Sequence, residues 1–236
     1  MCGRMNLENP PTWAEIHEYC STFSGPQFAK DKRTPGDVAP TDKAPIIVYN
    51  KGQRCLTEGR WWLLPRYANS LKHSKHHMFN CRDDALKKSY DRYRQREGVF
   101  GPFIEPFLKG QRCLIPVNGY YEFMEGRKIL FYMPDHELFA LAGIWDWNPK
   151  VRTPQWPNGV ISFTMITTEA VRPFDRIHDR MPIIMDSCDY DKWLYPGTSP
   201  EHAFKFIRPF KGRGLAVKPI EPEPKPDDNQ LGLFGT

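Results

Sequence analysis

No stretch of this 236-residue chain approaches the roughly 20 consecutive apolar residues that a membrane-crossing helix requires. The opening MCGRMNLENPP lacks the apolar run of a secretory signal, which predicts a cytoplasmic protein without a membrane partner. Six cysteines (Cys2, Cys20, Cys55, Cys81, Cys113, Cys188) are widely spaced and form no Cys-x-x-Cys pair, so a disulfide framework is not expected in a reducing compartment. His76 and His77 near Cys81, and His17 near Cys20, fall short of the four ligands of a zinc site, and neither a metal nor a cofactor is expected. No internal repeat is visible. Proline and aromatic residues, in contrast, are plentiful: 23 prolines and 14% aromatics favour many short strands and loops over long helices. With 40% hydrophobic and 26% charged residues the chain fits a soluble globule of one main domain, and a net charge of +5 mildly favours a polyanionic partner.

Thr12-Trp13-Ala14-Glu15 reads as a capping box, followed by Trp13, Ile16, Tyr19 and Phe23 on one helical face before Gly25-Pro26 ends the helix. Residues 45–49 and 54–57 flank the turn Asn50-Lys51-Gly52-Gln53, and 61–64 reads as a further strand ended by Pro65. A basic amphipathic helix carries Leu86, Tyr90 and Tyr93 on its apolar side and Lys87, Lys88, Arg92, Arg94 and Arg96 on its polar side, with Gly98 beyond its end. That polar side is an ordinary solvated face unless other features point to nucleic acid. Strand signals then crowd residues 112–117, 120–124, 129–133, 138–144 and 160–166, with a tight turn at Glu125-Gly126. Short helices near 188–194 and 200–207 and a last strand over 215–220 complete an α+β, β-rich pattern: a curved sheet or barrel with a few short peripheral helices. From residue 221 the composition changes to a Pro- and acid-rich linker that ends in QLGLFGT. The expected organisation is therefore a globular unit over 2–220 and a flexible tail over 221–236, in a monomer, since nothing reads as a dimer seam.

Cys2 directly follows the initiator Met, and a residue that small permits Met removal, which would leave a 1,2-aminothiol at the terminus. An α-amine titrates near pH 8, about two units below lysine, so an appreciable fraction is neutral and nucleophilic at physiological pH. Two chemistries use such a terminus. One is thiol hydrolysis with the amine as base; the other is aldehyde capture, in which the amine forms an imine that the thiol closes to a thiazolidine. Position alone leaves Cys2 open between these and an inert terminal cysteine.

Four further segments narrow the choice. Cys2-Gly3-Arg4, Asn80-Cys81-Arg82, Arg112 to Phe123 (RCLIPVNGYYEF) and Ile177 to Pro182 (IHDRMP), together with Val38 to Thr41, Trp61 to Pro65, Ala142 to Trp145 and Thr167 to Ala170 in that order, resemble the SOS response-associated peptidase (SRAP) family. The resemblance spans about residues 2–220 and implies the barrel-like SRAP fold and an abasic-site sensor that crosslinks to single-stranded DNA. It implies that Cys2 is the crosslinking nucleophile, Glu122 and His178 acid/base groups, and Asn80 the group that positions the terminus. It further implies DNA contacts from Arg4, Arg82, Arg66, Tyr67, Pro40 and Thr167, with the Thr167 hydroxyl near His178. Chemistry fits these roles: an abasic sugar is mostly a closed hemiacetal, so a proton shuttle has to open it before an aldehyde exists.

The sequence departs from the family pattern at Cys81, Asp84, Trp62 and Tyr67, where Ala, Glu, Gly and Trp are usual, and in a final strand that lacks an Asn-rich ending. Gln230, Leu231, Leu233 and Phe234 resemble the pentapeptide that binds the bacterial sliding clamp, which would keep the protein near replication forks; the alternative is a tail folded back on its own domain. Two other functions stay open beside covalent capture, an N-terminal-Cys peptidase or amidase acting in trans and a non-covalent single-strand binder.

Overall fold

The computed structural model describes residues 2–7, 36–72, 77–98, 100–135, 138–210 and 214–220. The helix expected over 12–23, the His17–Cys20 pair, His76, the acidic linker and the QLGLF tail lie outside the described residues.

Two sheets carry the fold. The first has the order β12 (Ala216–Ile220), β8 (Arg127–Tyr132), β7 (Gly119–Met124), β1 (Arg4–Asn6), β2 (Asp37–Val38). The second runs β11 (Arg180–Pro182), β10 (Val160–Glu169), β4 (Gln53–Trp61), β3 (Lys43–Asn50), β6 (Arg112–Val117), β9 (Phe139–Asn148), and β9 returns to pair with β10. That last pairing closes β10, β4, β3, β6 and β9 into a ring, the barrel that the sequence led us to expect.

The dense apolar runs follow from burial on both faces. In β6 all six residues are buried: Cys113, Ile115 and Val117 join a core shared with Met5, Val38, Tyr120 and Phe131 of the first sheet. Leu114, Ala140, Ala142 and Ile144 point the other way, against helices α1 (Asp83–Arg94), α2 (Ile104–Leu108), α3 (Tyr190–Leu194) and α4 (Pro200–Phe204). Alternation of side chains along a strand thus feeds two cores rather than a core and solvent. Arg112, in the same strand, is 1% exposed. Its guanidinium donates to the carbonyls of Trp193 (2.6 Å), Tyr195 (2.7 Å) and Thr198 (3.2 Å), tying β6 to the α3 loop, and burial lowers its pKa to about 10.

Turn chemistry is local. Glu125 and Gly126 take φ of +50° and +78°, the left-handed pair that a two-residue hairpin between β7 and β8 demands. Helix α1 begins with Asp83 and Asp84 and ends with Arg92 and Arg94, each sign at its favourable end of the helix dipole. Leu86 and Tyr90 bury its apolar side, whereas Tyr93 is 45% exposed and meets Phe100 edge-on, a departure from the three-residue stripe expected. The expected strand over 61–64 is also corrected, because β4 ends at Trp61. Beyond it the Trp62 N–H bonds the Arg60 carbonyl (2.8 Å), Leu63 bonds Met78 (3.1 Å), and Leu64 bonds the Ser162 hydroxyl (2.8 Å), so the backbone leaves the ladder before Pro65.

Candidate active site and nucleic-acid interface

Strand β10 runs past the rim of the ring, and its far end collects the motifs. On one edge β10 pairs first with β4 and then, in parallel, with β5 (Asn80–Arg82), placing Met165, Ile166 and Thr167 opposite Asn80, Cys81 and Arg82. On the other edge β9 gives way to β11, where Thr167, Thr168 and Glu169 oppose Pro182, Met181 and Arg180. Three short sequence words from three parts of the chain thereby share one strand end.

Strand β1 supplies the fourth. Arg4, Met5 and Asn6 pair with Tyr121, Tyr120 and Gly119, which brings the chain start alongside the β7 residue Glu122. Cys2 is 1% exposed, and its carbonyl accepts a 2.7 Å hydrogen bond from the Asn80 amide. The Cys2 thiol donates weakly to the Arg4 carbonyl at 3.5 Å. Burial pushes that thiol well up, and the negative field of Glu122 adds to the effect, so the thiol is held protonated. Glu122 is itself 3% exposed, and burial lifts its carboxyl to about 7, with Asp179 pushing the same way.

His178 stands two residues before Arg180, the first residue of β11. Its Nδ1 accepts from the Arg180 N–H at 3.0 Å and stands 2.8 Å from an Asp179 carboxylate oxygen. Accepting that N–H uses the Nδ1 lone pair, whereas a proton on Nδ1 would instead be donated to the Asp179 carboxylate. Burial, the largest effect, lowers the His178 pKa and favours the neutral ring. Thr167 is fully buried, and its hydroxyl has no hydrogen-bond partner among the described residues. The Thr167 carbonyl accepts from Arg180, on the segment that carries His178.

Three residues passed over in the sequence reading complete the support. Asp83 binds the Thr168 hydroxyl (2.7 Å) and Arg180 (2.6 Å), fastening α1 to β10 and to the segment that carries His178. Tyr120 lies on the Glu122 face of β7, stacks on Phe131 (4.6 Å between centroids, 14°), and buries a hydroxyl with no partner among the described residues. Its period-two spacing from Glu122 was the available signal. Arg180 is 5% exposed, which nothing in the IHDRMP word announces.

The expected DNA contacts fall in two places. Arg4 pairs with Asp37 (3.1 Å) and Arg82 with Asp84 (2.8 Å), both on the surface. Pro40 lies in the turn between β2 and β3, where Asp42 accepts from the Ala39 N–H (2.9 Å) and Thr41 takes φ +85°, a strained conformation for a β-branched residue. Arg66 and Tyr67 are exposed and line a separate open cleft of about 330 Å³ with Glu105, Pro149 and Lys150. Among the described residues no group of His, Cys, Asp and Glu is placed to hold a metal ion.

The model of the SOS response associated peptidase (SRAP) family matches residues 1–223. The chain belongs to the SRAP family. Similar SRAP relatives include the abasic site processing protein YoqW of Bacillus subtilis, 28% identical over 219 residues, covering 89% of this chain and 88% of that protein. The abasic site processing protein HMCES of Gallus gallus is 27% identical over 246 residues, covering 92% of this chain and 66% of that longer protein. A crystal structure of a Bordetella bronchiseptica protein superposes with a TM-score of 0.71 at 20% identity, over 93% of this chain and 100% of the other. One from Bacteroides thetaiotaomicron gives 0.63 at 24% identity, over 79% and 78%. These two solved structures share the fold. Among the described residues no helix is long and apolar enough to cross a membrane.

Proposed function

We propose that this chain processes abasic sites in single-stranded DNA, capturing the ring-opened sugar through Cys2 once Met1 has been removed. One juxtaposition carries the reading: the Cys2 carbonyl held by Asn80 at 2.7 Å, with the buried Glu122 carboxyl beside the thiol. The names of the curated relatives agree with it.

Glu122, divided near neutral pH between acid and carboxylate, takes the proton of the sugar's C1′ hydroxyl and returns one to the ring oxygen, which opens the hemiacetal. The neutral Cys2 amine adds to the C1′ aldehyde, and His178, whose resting ring is neutral, carries the first of the two nitrogen protons to the new alkoxide. His178 then carries the second from nitrogen to the resulting hydroxyl, which leaves as water, and a neutral imine remains. The thiol then adds across the C=N bond, forming S–C1′ while its proton passes to nitrogen; overall one water is released. A thiol kept protonated by burial suits this late closure, in which the proton it carries passes to nitrogen.

In this reading Arg4 and Arg82 hold phosphates, Arg66 and Tyr67 engage an unpaired base, Pro40 and Thr167 line the lesion, and residues 2–220 act as one unit, a monomer in the cytoplasm. Peptidase activity is then the self-processing that exposes Cys2. The tail residues Gln230, Leu231, Leu233 and Phe234 tether the enzyme to a sliding clamp; deleting 229–236 should weaken clamp binding without lowering crosslink yield, and unchanged clamp affinity rejects the tether.

The deciding experiment mixes purified protein with single-stranded DNA bearing one abasic site and resolves the products on a denaturing gel. A shifted band lost in Cys2→Ala, and in a form that retains Met1, is expected. No shifted band from protein whose Met1 has been shown to be gone would sink the reading.

A further inference from the structure

Trp62, His77 and Phe79 form an aromatic cluster immediately beside the Asn80–Cys2 contact. Trp62 lies 5.7 Å from Phe79 and 6.5 Å from His77, and His77 lies 5.5 Å from Phe79, measured between ring centroids. Phe79 also meets the fully buried Trp61 edge-on at 5.9 Å, and the Trp61 indole N–H donates to the Phe79 carbonyl at 2.8 Å, which fixes the cluster to the core. Its outer side is open: His77 is exposed, and Trp62 and Phe79 are half-buried.

The second observation is a cation. Arg60, two residues before Trp62, donates to the Trp62 carbonyl at 3.2 Å and makes no ion pair among the described residues. A half-buried guanidinium without an acid among the described residues, held on the main chain of Trp62, whose ring belongs to an aromatic cluster that ends one residue from Asn80, matches a nucleotide: phosphate for the arginine, base for the rings.

We propose that Trp62, His77 and Phe79 form a stacking shelf for the base of a nucleotide adjoining the abasic sugar, with Arg60 against its phosphate. The proposal rests on the single-stranded DNA reading above. It differs from the cleft of Arg66 and Tyr67, which those residues line with Glu105, Pro149 and Lys150.

The test uses full-length protein and single-stranded oligonucleotides carrying tetrahydrofuran at the lesion, a sugar that cannot open to an aldehyde, so that affinity is read without crosslinking. The neighbouring base on the 5′ or the 3′ side is present or is replaced by a second tetrahydrofuran. Removing the stacked base should weaken wild-type binding by roughly ten-fold, and Trp62→Ala should abolish that difference while Trp62→Phe retains most of it. Arg60→Gln should lower the slope of log affinity against log salt by about one. A base dependence as large in Trp62→Ala as in wild type, on both sides, overturns the shelf. A base dependence that tracks Trp62 with no Cys2-dependent adduct on true abasic DNA would keep the shelf and reject covalent capture. No binding to any of the oligonucleotides would reject both.

Discussion

Asn80 and Cys2, 78 residues apart in sequence, are joined by a buried 2.7 Å hydrogen bond from the Asn80 amide to the Cys2 carbonyl. The bond engages the carbonyl of Cys2 and neither its nitrogen nor its thiol, and it fixes the residue that bears them. Asn80→Ala should therefore slow adduct formation by about 10–100-fold through loss of orientation, with little change in affinity for tetrahydrofuran-containing DNA. Single-turnover kinetics beside an anisotropy titration separate the two; an equal loss in both would assign Asn80 to binding.

Glu122 couples stability to pH. Its carboxyl titrates near 7 when folded and near 4.5 when unfolded, so between those values the folded state binds more protons, and stability falls as pH rises through the window. Glu122→Gln should remove that decline, on the order of 2–3 kcal/mol between pH 4.5 and 8. Urea midpoints for both proteins across pH 5 to 8 check the sign; parallel profiles would contradict it. The variant should also crosslink slowly to a closed abasic sugar at every pH.

In the proposed reading, Asp84 competes with DNA for Arg82. The pair is exposed, and the hydrogen bond from Arg82 holds the Asp84 carboxyl down to about 2, so the arginine meets a phosphate only by exchange. Asp84→Asn should raise affinity for single-stranded DNA by about two- to five-fold at low salt, an effect that fades as salt is raised. Salt titrations of the two proteins measure it, and weaker binding by the variant would remove Arg82 from the phosphate contacts.

Arg112 is a stability residue inside a motif that looks functional. Buried with its charge against main-chain carbonyls, it leaves those groups without a donor when removed. Arg112→Ala should cost about 3–5 kcal/mol in chemical denaturation. A loss under 1 kcal/mol would show that water replaces the guanidinium.

Asp83→Ala strips Arg180 of its carboxylate and Thr168 of its acceptor. An expected loss of about 3 kcal/mol should come with a displaced His178, visible as an altered imidazole titration by NMR. Normal His178 titration in the variant would confine Asp83 to holding the helix.

Strands β3, β6, β7, β8 and β10 were legible because apolar runs, β-branched residues and turn signals such as Glu125-Gly126 act locally. The strands β5 and β11 were not. Each has three residues, and Asn80-Cys81-Arg82 carries no strand signal of its own; pairing with β10 makes it a strand. Trp62 misled for the converse reason, since an aromatic after a strand reads as more strand until tertiary hydrogen bonds at Leu63 and Leu64 draw the backbone away.

By itself the sequence determined the β-rich class, the family and the residue types able to do chemistry, because each is written in local words: Cys2 behind Met1, Glu122 after Tyr121, His178 before Asp179. Tertiary structure alone decided their environment. Burial raises Glu122 and the Cys2 thiol and lowers His178, and burial is created by the two sheets meeting, which no spacing along the chain encodes. It also decided that Asp83 and Arg180 support the site and that Arg112 supports the fold, since a charge's role depends on which groups surround it after folding.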